Sequence, residues 1–304
     1  MKLFNVFIVM CSFIMFSNYA DAAENKKKSY IDVEPKQEKI IKEKNKIICG
    51  YSSPIRVAGF VTNPPFGWVT QEKHKRLDIM IYSNNGYAYD LFEKLAKHLG
   101  FKIENVGYPS YQEALKALRQ GKVDVVTGAY HNKHNLGVGI KLLYPSFMEN
   151  QIVPIFVKGK EKQVQSFDDL IGLKGVVRQE EMIYPLVYNQ LPQGVQIKQV
   201  SGSKSAFQML MRGEADYMLT SLYSAEAEVR RFKLIDKVHF SSFALLKPSL
   251  FFAFSSVSEC HLLQPKFSEA LKAMKKDSVA YRKYFVSYID QWGIDFKDEP
   301  QLEW

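Results

Sequence analysis

The sequence predicts an α/β fold of two similar lobes. One observation is a segment used twice. Residues 110–129 read SYQEALKALRQGKVDVVTGA, and residues 202–221 read GSKSAFQMLMRGEADYMLTS. Aligned without a gap, Ala114 falls on Ala206, Leu118 on Leu210, Gly121 on Gly213 and Asp124 on Asp216. Each copy has apolar residues at helical spacing, a glycine that ends the helix, an Asp, and a short apolar run suited to a buried strand. A second observation is that strand-like and helix-like stretches alternate along the chain, as in α/β architecture. The third is length, since 304 residues suffice for two domains of ordinary size. Ligands in such folds sit where the strands end, so the cleft between lobes is the expected site.

Taken in order, Ile55–Val61 reads as a strand running into a turn at Asn63-Pro64-Pro65. A loop with Phe66 and Trp68 follows, then the charged stretch Glu72–Arg76. Leu91, Phe92, Leu95, Ala96 and Leu99 mark an amphipathic helix that stops at Gly100. Phe101–Val106 is strand-like, and the first repeat copy comes next. Ile152–Lys158 reads as a strand leaving the first lobe. Ser166 is a helix N-cap with Asp169 three residues on. Gly175–Arg178 is a short strand, Met182–Leu191 a helix, and Gln196–Val200 the strand before the second copy. Ser224–Phe232 is helical, and Leu250–Ser255 is an apolar run leading back to the first lobe. Phe267–Met274 and Tyr281–Trp292 are C-terminal helices.

The N-terminus differs from this pattern. Lys2, the apolar run Val6–Phe16 and Ala20-Asp21-Ala22 form a positive region, a short apolar core and an A-x-A signal. Cleavage is expected after Ala22, giving a periplasmic mature protein. Residues 23–46 form a lysine-rich leader, solvated and disordered by composition. The formal net charge is +9. Export and the interspersed Glu residues argue against nucleic acid as a partner. Cys49 and Cys260 meet an oxidising compartment, where they form one bridge or remain two buried thiols.

The order of these signals resembles the bacterial extracellular solute-binding proteins of the polar amino-acid type, family 3, which serve ABC importers. The likeness covers roughly residues 54–293. It rests on Arg56-Val57 with Pro64-Pro65-Phe66, on Gly86 through Leu91 (the "G-x-x-x-D-L" helix entry), and on Tyr111 through Asp124. Tyr144 through Phe147, Ser166 through Gly175, and Gly213-Glu214-Ala215-Asp216 continue it. The resemblance implies a type 2 periplasmic binding protein fold: two lobes, each a mixed sheet flanked by helices, joined by two crossing strands. Residues 47–153 with 251–304 would be lobe 1, and 154–250 lobe 2. It also implies a monomer that closes on a small solute and meets a membrane permease.

The family stacks a ligand on an aromatic ring, a role that falls here on Phe66. Thr127, Gly128 and Ala129 end a strand and should turn backbone groups to the cleft. In amino-acid binders a "T-x-x-R" motif supplies an Arg for the α-carboxylate. By alignment, Asn132 stands for that Thr and Asn135 for that Arg. The partner Asp, which takes the α-ammonium, corresponds to Ser221, whose rival role is the N-cap of the next helix. Both zwitterion anchors are thus replaced, so the expected solute is small and polar or anionic, amino-acid-like but not a plain α-amino acid. Arg178, at a strand end, is a candidate anion anchor. His131 and His134 lack a third metal ligand nearby, and no metal or cofactor is expected. The sequence contains no G-x-S-x-G, P-loop or H-E-x-x-H, and binding requires none. The alternatives are an exported enzyme resembling cyclohexadienyl dehydratases, with Glu180 or His131 as the acid, or a ligand-sensing subunit.

Overall fold

A computed structural model describes residues 49–59, 62–74, 76–77, 79–131, 138–179 and 184–295. The expected export signal, the lysine-rich leader, Asn132, Lys133, His134, Asn135 and Glu180 lie outside the described residues. In chain order the strands are β1 (Ile55–Ala58), β2 (Thr62–Asn63), β3 (Gly67–Lys73), β4 (Met80–Asn85), β5 (Ile103–Asn105), β6 (Val125–Tyr130), β7 (Ile140–Leu142), β8 (Met148–Glu149), β9 (Ile152–Val157), β10 (Lys174–Arg178), β11 (Gln196–Val200), β12 (Tyr217–Ser221), β13 (Val238–Phe240) and β14 (Ser249–Ser255). The α-helices are α1 (Tyr87–His98), α2 (Tyr111–Arg119), α3 (Tyr184–Tyr188), α4 (Gly202–Met211), α5 (Leu222–Arg231), α6 (Gln264–Lys276) and α7 (Ser278–Asp295).

Each copy of the repeat builds the middle of its own sheet. The first sheet runs β5-β1-β6-β14-β7, with β8 also paired to β14, and the second runs β11-β10-β12-β9-β13. In both, a parallel set from one half of the chain meets an antiparallel strand that has crossed from elsewhere. The helix of each copy ends on a left-handed glycine, Gly121 at φ 68° and Gly213 at φ 72°. The Asp that follows has the same work in both places. Asp124 accepts from the Arg56 amide of β1 at 2.7 Å and donates its own amide to the Arg56 carbonyl at 2.9 Å. Asp216 accepts from the Lys174 amide of β10 and donates to the Lys174 carbonyl, both at 2.7 Å. The repeated Asp is therefore a register latch between neighbouring parallel strands.

The first core joins α1 and α6 through a stacked Phe92–Phe267 pair, centroids 4.7 Å apart, against Phe252 and Phe254 of β14. A smaller core under α2 takes Ala114, Leu118, Val126 and Ala129. Around the second sheet, Phe207, Leu210, Met218 and Phe232 pack together. Cys49, just ahead of β1, is joined by a disulfide to Cys260, just beyond β14, with Cα atoms 5.2 Å apart.

Three stretches differ from the sequence reading. The expected loop with its charged run is instead a third sheet, β2-β3-β4. Glu72 and Lys73 pair with Ile81 and Met80. These strands carry polar residues on both faces, so no alternation reveals them. Buried Asn84 ties this sheet to the first one, accepting from the Gly59 amide at 2.8 Å and donating to Asn105 Oδ1 at 2.6 Å. The segment after Ser166 is only a 3-10 turn, Phe167–Leu170, closed by a Ser166–Asp169 capping box. The helix expected over Met182–Leu191 is described as Tyr184–Tyr188.

Candidate functional site

The chain passes between the first and second sheets twice, through Asn150–Ile152 and through Leu246–Ser249. The aromatic loop after β1, the C-terminal end of β6, the end of β12 and the start of α5 all meet near these passages. Backbone bonds fix the loop. Asn63 pairs with Gly67 across the Pro64-Pro65-Phe66 turn, and the first amides of α1 close on it, Tyr87 to the Pro65 carbonyl at 3.0 Å and Ala88 to the Phe66 carbonyl at 2.8 Å. Gly86 makes this docking possible. Its φ is 102°, and a Cβ there would lie 2.7 Å from Gly67 Cα. Phe66 is fully buried, its ring stacked on Phe285 of α7 at 5.5 Å and edge-on to Tyr223 of α5 at 6.0 Å.

Thr127, Gly128 and Ala129 are buried in β6. The Gly128 carbonyl accepts from Tyr111 Oη at 2.9 Å, and Ala129 pairs with Phe251 of β14 and adds its side chain to the core under α2. The Thr127 hydroxyl is buried with no hydrogen-bond partner among the described residues. Arg178 ends β10 and is 5% exposed.

Ser221 ends β12 and caps α5, accepting from the Ser224 amide at 3.4 Å. It also donates to Asn150 Oδ1 at 2.5 Å, and Asn150 Nδ2 donates to Tyr130 Oη at 2.6 Å. Asn150 and Ser221 are fully buried. One asparagine in a crossing segment therefore bridges β6 of the first sheet to β12 of the second. A second polar tie joins the aromatic loop to α5, with Ser224 Oγ donating to Asn63 Oδ1 at 2.9 Å. Asn63 Nδ2 is buried without a partner among the described residues. The seam of Asn63, Tyr130, Asn150, Ser221 and Ser224 carries no formal charge, so it can recognise a solute by hydrogen bonds but cannot neutralise an ammonium group. Sequence reading missed Asn63, Asn150 and Ser224. The X-Pro turn after Asn63 and the N-cap position of Ser221 were the available signals, and neither says what lies across the seam.

Behind the loop is an aromatic cluster of Tyr87, Phe147, Tyr281, Tyr284, Phe285 and Tyr288. Burial pushes the Asp90 carboxyl above its ordinary range, partly opposed by Tyr288 Oη, which donates to Asp90 Oδ2 at 2.7 Å. Cys49, Asp124 and Cys260 present ligand atoms within 4.8 Å of one another, but both sulfurs are used in the disulfide and do not form a metal centre. Asp124 is engaged by Arg56 Nη2 at 2.8 Å and Ser258 Oγ at 2.6 Å.

Residues 55–153 match the family described as "Bacterial extracellular solute-binding proteins, family 3". No curated protein matches the sequence. Among solved structures, an ancestral arginine-binding protein bound to glutamine is 26% identical with a TM-score of 0.54, covering 77% of this chain and 97% of its own. An amino acid ABC transporter substrate-binding protein of Streptococcus pneumoniae, bound to L-arginine, is 16% identical with a TM-score of 0.59, covering 79% and 95%. A histidine kinase sensor domain with similarity to periplasmic binding proteins is 18% identical with a TM-score of 0.59, covering 77% and 95%. The fold is that of the two-lobed periplasmic binding proteins.

Proposed function

We propose that this chain belongs to the bacterial extracellular solute-binding proteins, family 3, and that it captures a small polar or anionic, amino-acid-like solute between its two lobes and delivers it to the membrane permease of an ABC importer. In this reading the chain is exported, processed after Ala22, and acts as a periplasmic monomer that binds without transforming its solute. Residues 47–153 with 251–304 move as lobe 1 and 154–250 as lobe 2, closing about the two crossing segments.

The observation that carries the reading is the polar seam between the lobes. Among the described residues, Asn63 Nδ2 and the Thr127 hydroxyl are buried and unpaired, a cost of about 1–3 kcal/mol each that a polar solute would remove. We assign solute contacts to Thr127, Asn132 and Asn135 on lobe 1 and to Arg178 and Ser221 on lobe 2. Gly128 and Ala129 serve to hold the strand end, and Phe66 forms the apolar wall behind it. The neutral seam, with Ser221 where the family has an acid, favours a solute lacking the ordinary ammonium-plus-carboxylate pair.

Mass spectrometry of material released by denaturing the protein purified from its native host tests this. One small polar or anionic species, which on re-addition raises Tm in proportion to its concentration, is the expected result. A standard α-amino acid would contradict the assignment of Ser221 and Asn135. Absence of any solute that shifts Tm would end the solute-binding reading.

A further inference from the structure

The last helix is built to touch both lobes at once. On one face, Tyr281 Oη donates to the Phe147 carbonyl at 2.6 Å, Tyr288 Oη donates to Asp90, and the rings of Tyr281, Tyr284 and Tyr288 surround Tyr87, all within lobe 1. Along a neighbouring stripe at spacings of four and three, Phe285, Ile289 and Trp292 are buried. Phe285 lies edge-on to Tyr223 of α5 at 4.9 Å, and Ile289 and Trp292 enclose Ala227 of α5 together with Trp68 of β3. Trp292 meets Trp68 at 5.5 Å, and the Arg231 guanidinium lies over the Trp292 ring at 5.4 Å. Thus α7 belongs to lobe 1 by its place in the chain and runs beside the helix that leads out of β12 in lobe 2.

A clamp that opens about Asn150–Ile152 and Leu246–Ser249 must part α7 either from α5 or from Tyr87 and Asp90. Both contacts bury aromatic rings, so neither parts without exposing apolar surface to water. The exposed Arg230–Asp290 pair at 3.3 Å adds little. We propose that α7 is a strap that holds the two lobes shut in the absence of solute, so that entry to the cleft waits on the release of Phe285, Ile289 and Trp292. The fraction of time spent open then multiplies the intrinsic association rate. The strap concerns the same cleft as the proposed function and relies on that reading only for the kinetic half of its test.

The test uses the whole chain with fluorescent labels at Lys97→Cys in α1 and Ile235→Cys beyond α5, both exposed positions. Energy transfer without solute is compared between this parent, the double variant Phe285→Ala/Trp292→Ala, and the milder Phe285→Leu, which keeps the core filled if the double variant fails to fold. Lower transfer in the folded variants is expected. Transfer equal to the parent's in Phe285→Leu and, where it folds, in the double variant overturns the strap. Stopped-flow binding with N-acetyl-L-glutamine, N-acetyl-L-glutamate and succinate as probes, amino-acid-like or anionic species without a free ammonium, then reads entry, and an association rate at least ten times the parent's is expected. Equal rates in parent and variants overturn the strap and leave the solute reading intact. Variants that open yet bind none of the probes, nor any solute released from the native protein, support the strap and overturn the solute reading.

Discussion

Asn150 is one residue on which both lobes depend. Its amide is engaged at both ends, Nδ2 by Tyr130 and Oδ1 by Ser221, and the residue is fully buried. Removing one side of a buried hydrogen bond costs more than the bond contributes, because the partner stays buried. Asn150→Ala is expected to lose about 1–3 kcal/mol in urea unfolding. Ser221→Ala should be less than additive with it, and full additivity would show that the bridge is not shared. Thr127 presents the opposite case, a buried hydroxyl with no partner among the described residues. Thr127→Val should leave the solute-free protein as stable or up to about 1 kcal/mol more stable, and should weaken binding of the released solute. A loss of stability with unchanged affinity would place this hydroxyl outside the solute contacts. Asp90 adds a pH dependence. Its folded pKa is raised by burial, so the native state holds the proton more tightly than the unfolded chain. Its contribution is fully present below the ordinary Asp pKa of about 3.9 and is lost as pH rises through the raised folded value. Asp90→Asn should therefore gain stability relative to the parent as pH rises from 3 to 7, and a difference constant across that range would contradict the assigned shift.

The element scale shows what pattern can and cannot carry. The duplicated helix–glycine–Asp–strand unit was legible because every part acts locally: apolar spacing makes the helix, and a left-handed glycine stops it. Gly121 and Gly213 have the predicted positive φ, and no neighbouring heavy atom would meet a Cβ at Gly213. Gly213→Ala is accordingly a test of backbone strain alone, with an expected cost of about 1–2 kcal/mol. Gly213→Asn should cost less, since a short polar side chain tolerates that conformation. Denaturant midpoints for the two variants decide it, and equal cost would mean that side-chain entropy, not φ, governs the site. The hairpin β3–β4 was not legible. Its residues Thr70 to Lys73 and Ile81 to Ser83 offer no one-sided apolar face, and the buried residue that fixes it, Asn84, bonds to partners 21 to 27 positions away. The same limit applied to the site. Ser221 was readable as a helix cap, whereas Asn150 sits between two strands in no pattern at all, and its role exists only once Tyr130 and Ser221 arrive from opposite sheets. The last helix was readable as a helix, but the two surfaces it joins were not.

At the scale of the molecule, the chain leaves the first sheet, builds the second, and returns to the first through β14. The disulfide closes that excursion, linking residues 211 positions apart. A cross-link over so long a loop acts mainly on the unfolded chain, whose freedom it reduces across both lobes at once. It lies ahead of β1 and beyond β14, and neither cysteine takes part in the Asn63–Ser224 or Asn150–Ser221 ties. Cys49→Ser/Cys260→Ser should therefore lower stability by about 2–5 kcal/mol. The double variant's unfolded state, free to expand, should also give a steeper dependence on denaturant. Affinity for the solute released from the native protein should stay the same, because the seam does not include either cysteine. Guanidinium unfolding of the parent and the double variant, each with and without that solute, separates these effects. An unchanged midpoint would show that the unfolded chain is already confined without the bridge. A weaker solute affinity at equal fold content would show that the disulfide positions the cleft after all.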